Sequence, residues 1–359
     1  MDLVRRRLRN HRLDRSEFRS PAAVVRWSGA VQAQDYSGAK WAIGLRAKGV
    51  TEVDVDRAFD AGAILRTHVL RPTWHFVAPD DIRWMLDLTA PRIHAANGYA
   101  YRIFDLDAAI FRRSRKALAR ALRGGPARTR SELAPVLRRE GIAAEGIRLA
   151  ALMMDAELEG IVVSGPRRGK QFTYALLEER APRARTLPRD EALAELAKRY
   201  FTSHGPATLR DYAWWSGLTV GDAIAGIEAV APALQREVID GRSCWSVGTK
   251  VPSPRASATA HLLPNYDEYL VAYKDRGPVV GAWRGDVFAH HFVIDGQLAG
   301  RWKRTLKKDA VVVESVPYRR LSREYARALA SAAERYGKFL QLPVRMPRDG
   351  GRPNIQPNG

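Results

Sequence analysis

The sequence predicts an α+β protein: three tandem helix–turn–helix units, each closed by a β-hairpin, followed by a strand-rich C-terminal region. Three observations carry this expectation. A pattern of helix, glycine-containing turn, helix, strand, turn, strand recurs three times along the chain. Of 359 residues, 46% are hydrophobic and 27% charged, which suits about two to three packed domains and excludes a disordered or fibrous chain. The 59 Lys and Arg outnumber the 39 Asp and Glu, giving a net charge of +20. A chain this basic is drawn to polyanions, because each neutralised phosphate releases condensed counterions. The expected arrangement is C-shaped around a basic concave face. A merely solvated Arg-rich surface has the same composition, so charge alone names no partner.

The same counts exclude other classes. A single cysteine, Cys244, rules out an internal disulfide framework and any Cys-based zinc site, and fits a reducing compartment. No run of 18 apolar residues is present, so no membrane span is expected. The start, MDLVRRRLRNHRLDR, is basic but lacks the apolar core of a secretory signal. The expected location is cytoplasmic, nucleoid-associated, without membrane contact.

Taken in order, Ser20 and Pro21 open a helix whose apolar face includes Val24, Val25, Trp27 and Val31. Asp35-Tyr36-Ser37-Gly38 then breaks it, and a second helix follows. The first recurrence (45–77) turns at Gly49-Val50, the second (137–177) at Gly141-Ile142 and the third (209–247) at Gly217-Leu218. Each glycine can adopt the left-handed conformation that ends a helix. Thr51 with Asp54, Thr129 with Glu132, Thr208 with Asp211 and Thr219 with Asp222 read as capping pairs, a hydroxyl for orphan N–H groups and an acid for the first turn. Asp240-Gly241 is a hairpin turn signal. Pro135 fits a helix interior badly, so its helix either starts at Ser131 or bends there.

Helix–turn–helix plus hairpin is the winged-helix plan. One copy is weak evidence; three in a strongly basic chain are specific. Residues 106–123 read as a basic amphipathic helix, 124–128 and 178–190 as linkers, 255–320 as strand-rich and 321–340 as a closing helix. The implied division is 1–123 for the first unit with the basic helix, 124–180 for the second, 181–250 for the third, 251–345 for the C-terminal region and 346–359 for a loose tail.

Few common sites survive inspection. GPRRGKQ (165–171) has glycines too close together for a P-loop and no Ser or Thr after Lys170, so it reads as a basic wing tip. His290 and His291, adjacent in an apparent strand, point to opposite faces, so no metal is expected there. Gln32 and Gln34 are different. They would diverge on a helix, but on an extended chain they share a side and could converge on one small polar ligand such as a water. Helix-end capping is the plainer alternative.

These residues carry a resemblance. Gln32-Ala33-Gln34, the LRPTWHFV segment (70–77) and LLPNYDEYLVAYKDR (262–276) resemble the signature, first wing and C-terminal region of the winged-helix DNA glycosylases of the AlkZ and AlkX type. The three tandem units match that family's architecture, so the resemblance spans about residues 1–345. It implies a monofunctional enzyme that removes cationic alkylated purines from duplex DNA, N7-alkylguanine foremost, with N3-alkyladenine and interstrand crosslinks also in its range. Gln32 and Gln34 are then catalytic. A purine alkylated at N7 or N3 is already cationic and leaves as a neutral base, so the enzyme has to place a water and stabilise an oxocarbenium-like sugar. A carboxamide both donates and accepts hydrogen bonds and can orient that water. No motif lysine suggests Schiff-base chemistry. Asp35, one residue out of phase with the Gln-x-Asp of AlkX-type members, is expected to cap the helix after it.

The DNA contacts expected are Trp74 and His75 on the first wing, Arg167, Arg168 and Lys170 on the second, and Arg301, Lys303, Arg304, Lys307 and Lys308 in a basic C-terminal hairpin. A core role for Trp74 and solvated surface roles for the charges remain open. No cofactor and no metal are expected, and a monomer is. The competing readings are a non-catalytic winged-helix DNA-binding regulator and an RNA-binding factor. Largely apolar or acidic second helices, such as GIRLAALMMDAELEG, speak against base readout by a regulator.

Overall fold

Short-range chemistry fixes where the elements begin and end. The computed structural model describes residues 2–248 and 257–347. It opens with α1 (Asp2–Asn10) and α2 (Pro21–Ser28). Ser20 caps α2 by accepting the Ala23 N–H, and Gly29 at φ 76° ends it. This stop comes earlier than the sequence predicts. A short strand, β1 (Ala30–Gln32), forms where the helix was expected to continue, and Val31 belongs to it. Next come α3 (Tyr36–Arg46), α4 (Glu52–Asp60), β2 (Leu65–Val69) and β3 (Arg71–Val77). Asp35 caps α3 by accepting the Gly38 N–H at 3.1 Å, as expected.

The second stretch contains α5 (Ile82–Ile103), α6 (Ala108–Leu122), β4 (Arg128–Thr129), α7 (Arg130–Arg139), α8 (Gly146–Leu158), β5 (Val162–Ser164) and β6 (Thr173–Leu176). Thr129 and Glu132 form a full capping box, so α7 begins at Arg130 and carries Pro135 inside it. Then follow α9 (Leu177–Arg180), α10 (Arg189–Ser203), α11 (Leu209–Ser216), α12 (Val220–Ala229), β7 (Gln235–Ile239) and β8 (Arg242–Ser246). Asp240 and Gly241 both have positive φ, which makes the β7–β8 turn. The C-terminal part has β9 (Ala260–Leu263), α13 (Glu268–Val271), α14 (Gly277–Val280), β10 (His291–Ile294), β11 (Gln297–Leu306), β12 (Val311–Pro317), α15 (Arg323–Leu340) and β13 (Val344–Arg345). The loose tail expected at 346–359 lies, from residue 348, outside the described residues.

The architecture is mixed α+β, and the recurrence is visible in its strand order. The first sheet runs β1-β3-β2 and the second β4-β6-β5, so each places a single early strand beside the hairpin's return strand. In the third stretch an isolated bridge between Ala207 and Trp245 takes the place of that early strand beside β8. The C-terminal sheet has the order β13-β12-β11-β10-β9.

Alternation along β1 ties the first sheet to two cores. Ala30 packs with Trp84, Tyr200, Tyr212 and Trp215, whereas Val31 and Ala33 pack with Trp41, Phe59, Phe292 and Phe339. The second stretch has a core of its own around Leu118, Leu137, Leu152 and Met153.

Candidate active site

Gln32 is the last residue of β1, and Gln34 follows it in the bend before α3. Gln32 pairs with His75 in the antiparallel register, and the Ala33 N–H extends the ladder by donating to the Trp74 carbonyl at 2.7 Å. Side chains alternate on an extended chain, and Ala33 is buried in a core. Gln32 therefore lies on the side opposite Ala33, while Gln34 lies beyond the strand in a bend that leads into α3. Their exposure differs: Gln34 is exposed, while Gln32 is 7% exposed and its Oε1 makes no hydrogen bond.

The backbone of the motif is held at successive points. The Gln32 N–H donates to Glu268 Oε1 at 2.7 Å, and the Ala33 carbonyl accepts from Arg66 Nε at 3.0 Å. Arg66 is wedged between aromatic faces, 4.4 Å from the Trp74 ring centre and 4.6 Å from that of Phe172. Glu268, from α13, is buried; its other oxygen accepts the Trp215 indole N–H at 3.0 Å and lies 3.6 Å from His204 Nε2. Burial would raise its carboxyl, but His204 at 3.6 Å, with His75 and Arg71 nearby, holds it below the usual range. Sequence reasoning missed both residues. Their legible trace is a charged side chain at the edge of apolar residues, Glu268 before Tyr-Leu-Val and Arg66 after Ile-Leu.

His75 departs from the wing contact expected of it. It is fully buried, and its Nδ1 lies 3.0 Å from the Thr73 carbonyl, which can only accept; the ring proton is therefore on Nδ1. Burial, with the charge of Arg71 adding to it, pushes its pKa down to about 3, so Nε2 is a bare acceptor. Register places Gln32, His75 and Thr67 in one row across the sheet, and Gln32 Oε1, His75 Nε2 and Thr67 Oγ1 all lack hydrogen-bond partners. Trp74 is half-buried, with Arg66 and the His68 ring, 4.2 Å away, against it.

The basic residues divide. Arg167 turns inward: its N–H and guanidinium donate to Asp60 (2.8 Å) and Asp56 (3.2 Å), and it lies 4.9 Å over the Tyr36 ring. It clasps the β5–β6 turn to α4, contrary to the free wing-tip role expected. Arg168 is ion-paired with Glu132, and Lys303 with Glu314 at 3.2 Å. Arg301 is half-buried with no hydrogen bond at Nε. Arg304 reaches back to the motif's neighbourhood and donates to Ser37 Oγ at 2.9 Å. Lys170, Lys307 and Lys308 are exposed.

Among the described residues one group could be considered for a metal, namely His94, Asp155 and Glu159, whose ligand atoms lie within 4.8 Å of one another. Arg115 already occupies it, 3.3 Å from Asp155 and paired with Glu159, so a guanidinium sits where an ion would. A cavity of about 1010 Å³ is lined by Val4, Leu8, Trp283, Tyr318 and Glu324, among others, and includes neither glutamine.

Comparison with known proteins supplies a family. A family model described as "DNA glycosylase AlkZ-like" matches residues 25–339. The chain is 23% identical to an interstrand DNA cross-link repair glycosylase of Streptomyces sahachiroi, over 88% of this chain and 90% of that protein. It is similar in structure to the DNA glycosylase AlkZ of the same organism, with a TM-score of 0.78 and 22% identity over 96% of this chain and 98% of that one.

Proposed function

Because the chain belongs to the AlkZ-like family of DNA glycosylases, we propose that it hydrolyses the N-glycosidic bond of cationic alkylated purines in duplex DNA, using a water oriented by Gln32 and Gln34. N7-alkylguanine is the principal lesion; N3-alkyladenine and interstrand crosslinks, the latter named for the Streptomyces relative, fall within the same chemistry. The three repeated stretches act as winged helices arranged in a C around the duplex. The protein works as a monomer, in the cytoplasm at the nucleoid, without metal or cofactor.

The carrying observation is the Gln32-Ala33-Gln34 segment at the end of β1, pinned through the backbone of Gln32 and Ala33 by Glu268, Trp74 and Arg66, with Gln34 at the surface. Preorganised hydrogen-bonding groups need no rearrangement when charge develops at the sugar. The nucleophilic oxygen bonds to C1′ as the C1′–N bond breaks; the electron pair neutralises the departing base, and the water's proton passes to solvent. An uncharged pair suffices because the leaving group carries its own activation. The test is single-turnover excision from a duplex with one N7-methylguanine. Gln32→Ala is expected to slow it by about 10²–10³, and the wild type should leave a uracil duplex intact. A wild-type rate for the variant, or efficient uracil release, would overturn the reading.

A further inference from the structure

The glutamine pair is neutral, yet the sugar in front of it becomes positively charged. Asp35 does not supply the compensating charge, since its side chain caps α3. We propose that Glu268 is the positioning residue for Gln32 and the anion of this site: its carboxylate fixes the strand end that presents the carboxamide, and its charge lowers the energy of the sugar cation. The proposal rests on the glutamine reading above and extends it to a residue that never touches the substrate.

β1 is an edge strand, and its Gln32 N–H points away from β3. Without Glu268 that buried donor would have no partner, at the cost of any unpaired buried N–H. Glu268 meets it at 2.7 Å and is itself fixed by the Trp215 indole at 3.0 Å, with 1% of its surface exposed. A carboxylate so enclosed survives as an anion only if its surroundings favour charge. Here two N–H donors, His204 and the half-buried Arg71 do so. In such surroundings charge acts over longer distances than in water. Glu268 neither gives nor takes a proton during the reaction. Arg71, half-buried with an Nε that makes no hydrogen bond, feels the charge of Glu268, and neutralising Glu268 would leave its positive charge less opposed near the developing sugar cation.

The experiment compares Glu268→Gln, Glu268→Asp, Gln32→Ala and the Glu268→Gln/Gln32→Ala double variant. Each is assayed by single-turnover release of N7-methylguanine, by affinity for a duplex with a stable abasic-site analogue, and by thermal melting. Glu268→Gln keeps an acceptor for the Gln32 N–H but removes the charge; its rate is expected to fall about 10²-fold with affinity unchanged. Glu268→Asp, charged but one methylene short, should fall about tenfold. Because Glu268→Gln removes a charge that acts on the sugar and leaves the Gln32 N–H an acceptor, its loss should add to that of Gln32→Ala in the double variant, with affinity and melting unchanged, whereas a merely structural loss would lower both. A double variant no slower than Gln32→Ala alone, or a Glu268→Gln enzyme at the wild-type rate beside a slow Gln32→Ala, would overturn the proposal and leave the glutamine reading standing. A Gln32→Ala enzyme at the wild-type rate would remove both. Should Glu268→Gln fail to fold, Glu268→Asp decides: a wild-type rate overturns the proposal, and a loss without lost affinity supports it.

Discussion

At the scale of single residues, position relative to the strand separates carboxamides from carboxylates. Asp35 is adjacent to Gln34 but spends its oxygen on the Gly38 N–H, so Asp35→Ala is expected to cost about 1 kcal/mol of stability, the usual worth of an N-cap. Its single-turnover rate should stay near that of the wild type while Gln32→Ala collapses; equal losses in the two would move the catalytic assignment to Asp35. His75 allows a pH prediction. Its folded pKa of about 3 lies below the ordinary value of 6.5, so the unfolded chain takes up the proton first as pH falls. Stability is therefore full above pH 6.5 and drains between there and about 3, with about 2 kcal/mol gone by pH 5 from this residue alone. Buried His11 and His204 are shifted in the same direction. Denaturant melts at pH 7 and pH 5 check it, and a His75→Gln variant should flatten the difference. Equal midpoints at the two pH values would contradict the account. None of this was legible beforehand, because a histidine in TWHFV looks alike whether its ring meets solvent or Thr73.

At the scale of elements, the local punctuation was readable and the lone strands were not. Thr51, Thr129 and Thr208 close full capping boxes, Thr219 caps α12, and Gly49, Gly141 and Gly217 all take positive φ. These signals are written in a few adjacent residues. β1 and β4, at three and two residues, hold their conformation through partners more than 40 residues away, Ala30–Gln32 against His75–Val77 and Arg128–Thr129 against Thr173–Tyr174. No local pattern encodes such pairing, which is why the stretch carrying the glutamines reads as the end of a helix. Arg167 shows the same limit: GPRRGKQ marks a basic turn, but not that Asp56, Asp60 and Tyr36 lie beneath it. Arg167→Ala is thus expected to destabilise the fold by about 1–2 kcal/mol through a lost hydrogen-bonded ion pair and cation–π contact. Its DNA affinity at a fixed salt should change little, and a stable variant with weakened binding would restore the wing-tip role.

At the scale of the whole molecule, a net charge of +20 says that the chain is drawn to polyanions without saying which cations do the drawing. Side-chain pairing sorts them. Arg167, Arg168 and Lys303 already face carboxylates, and Arg304 is engaged at Ser37, so a phosphate would have to compete for them. Lys170 on the second hairpin and Lys307 and Lys308 between β11 and β12 are exposed and better placed to meet a backbone. Each phosphate contact contributes about 0.9 to the slope of log affinity against log salt on duplex DNA. Replacing all three lysines with alanine should therefore flatten that slope by about 2–3 and weaken binding by a similar factor on damaged and undamaged duplexes, since phosphates carry no base information. The rate of N7-methylguanine release at saturating protein should stay unchanged, because the glutamine segment is anchored from Glu268 and Arg66 and not from these turns. An unaltered slope would assign the three lysines to solvent and return the duplex contact to Arg168, Arg301, Lys303 and Arg304. A slope that flattens together with a slower saturated rate would mean that backbone grip and bond cleavage are coupled through β11, whose Arg304 touches Ser37 beside the motif.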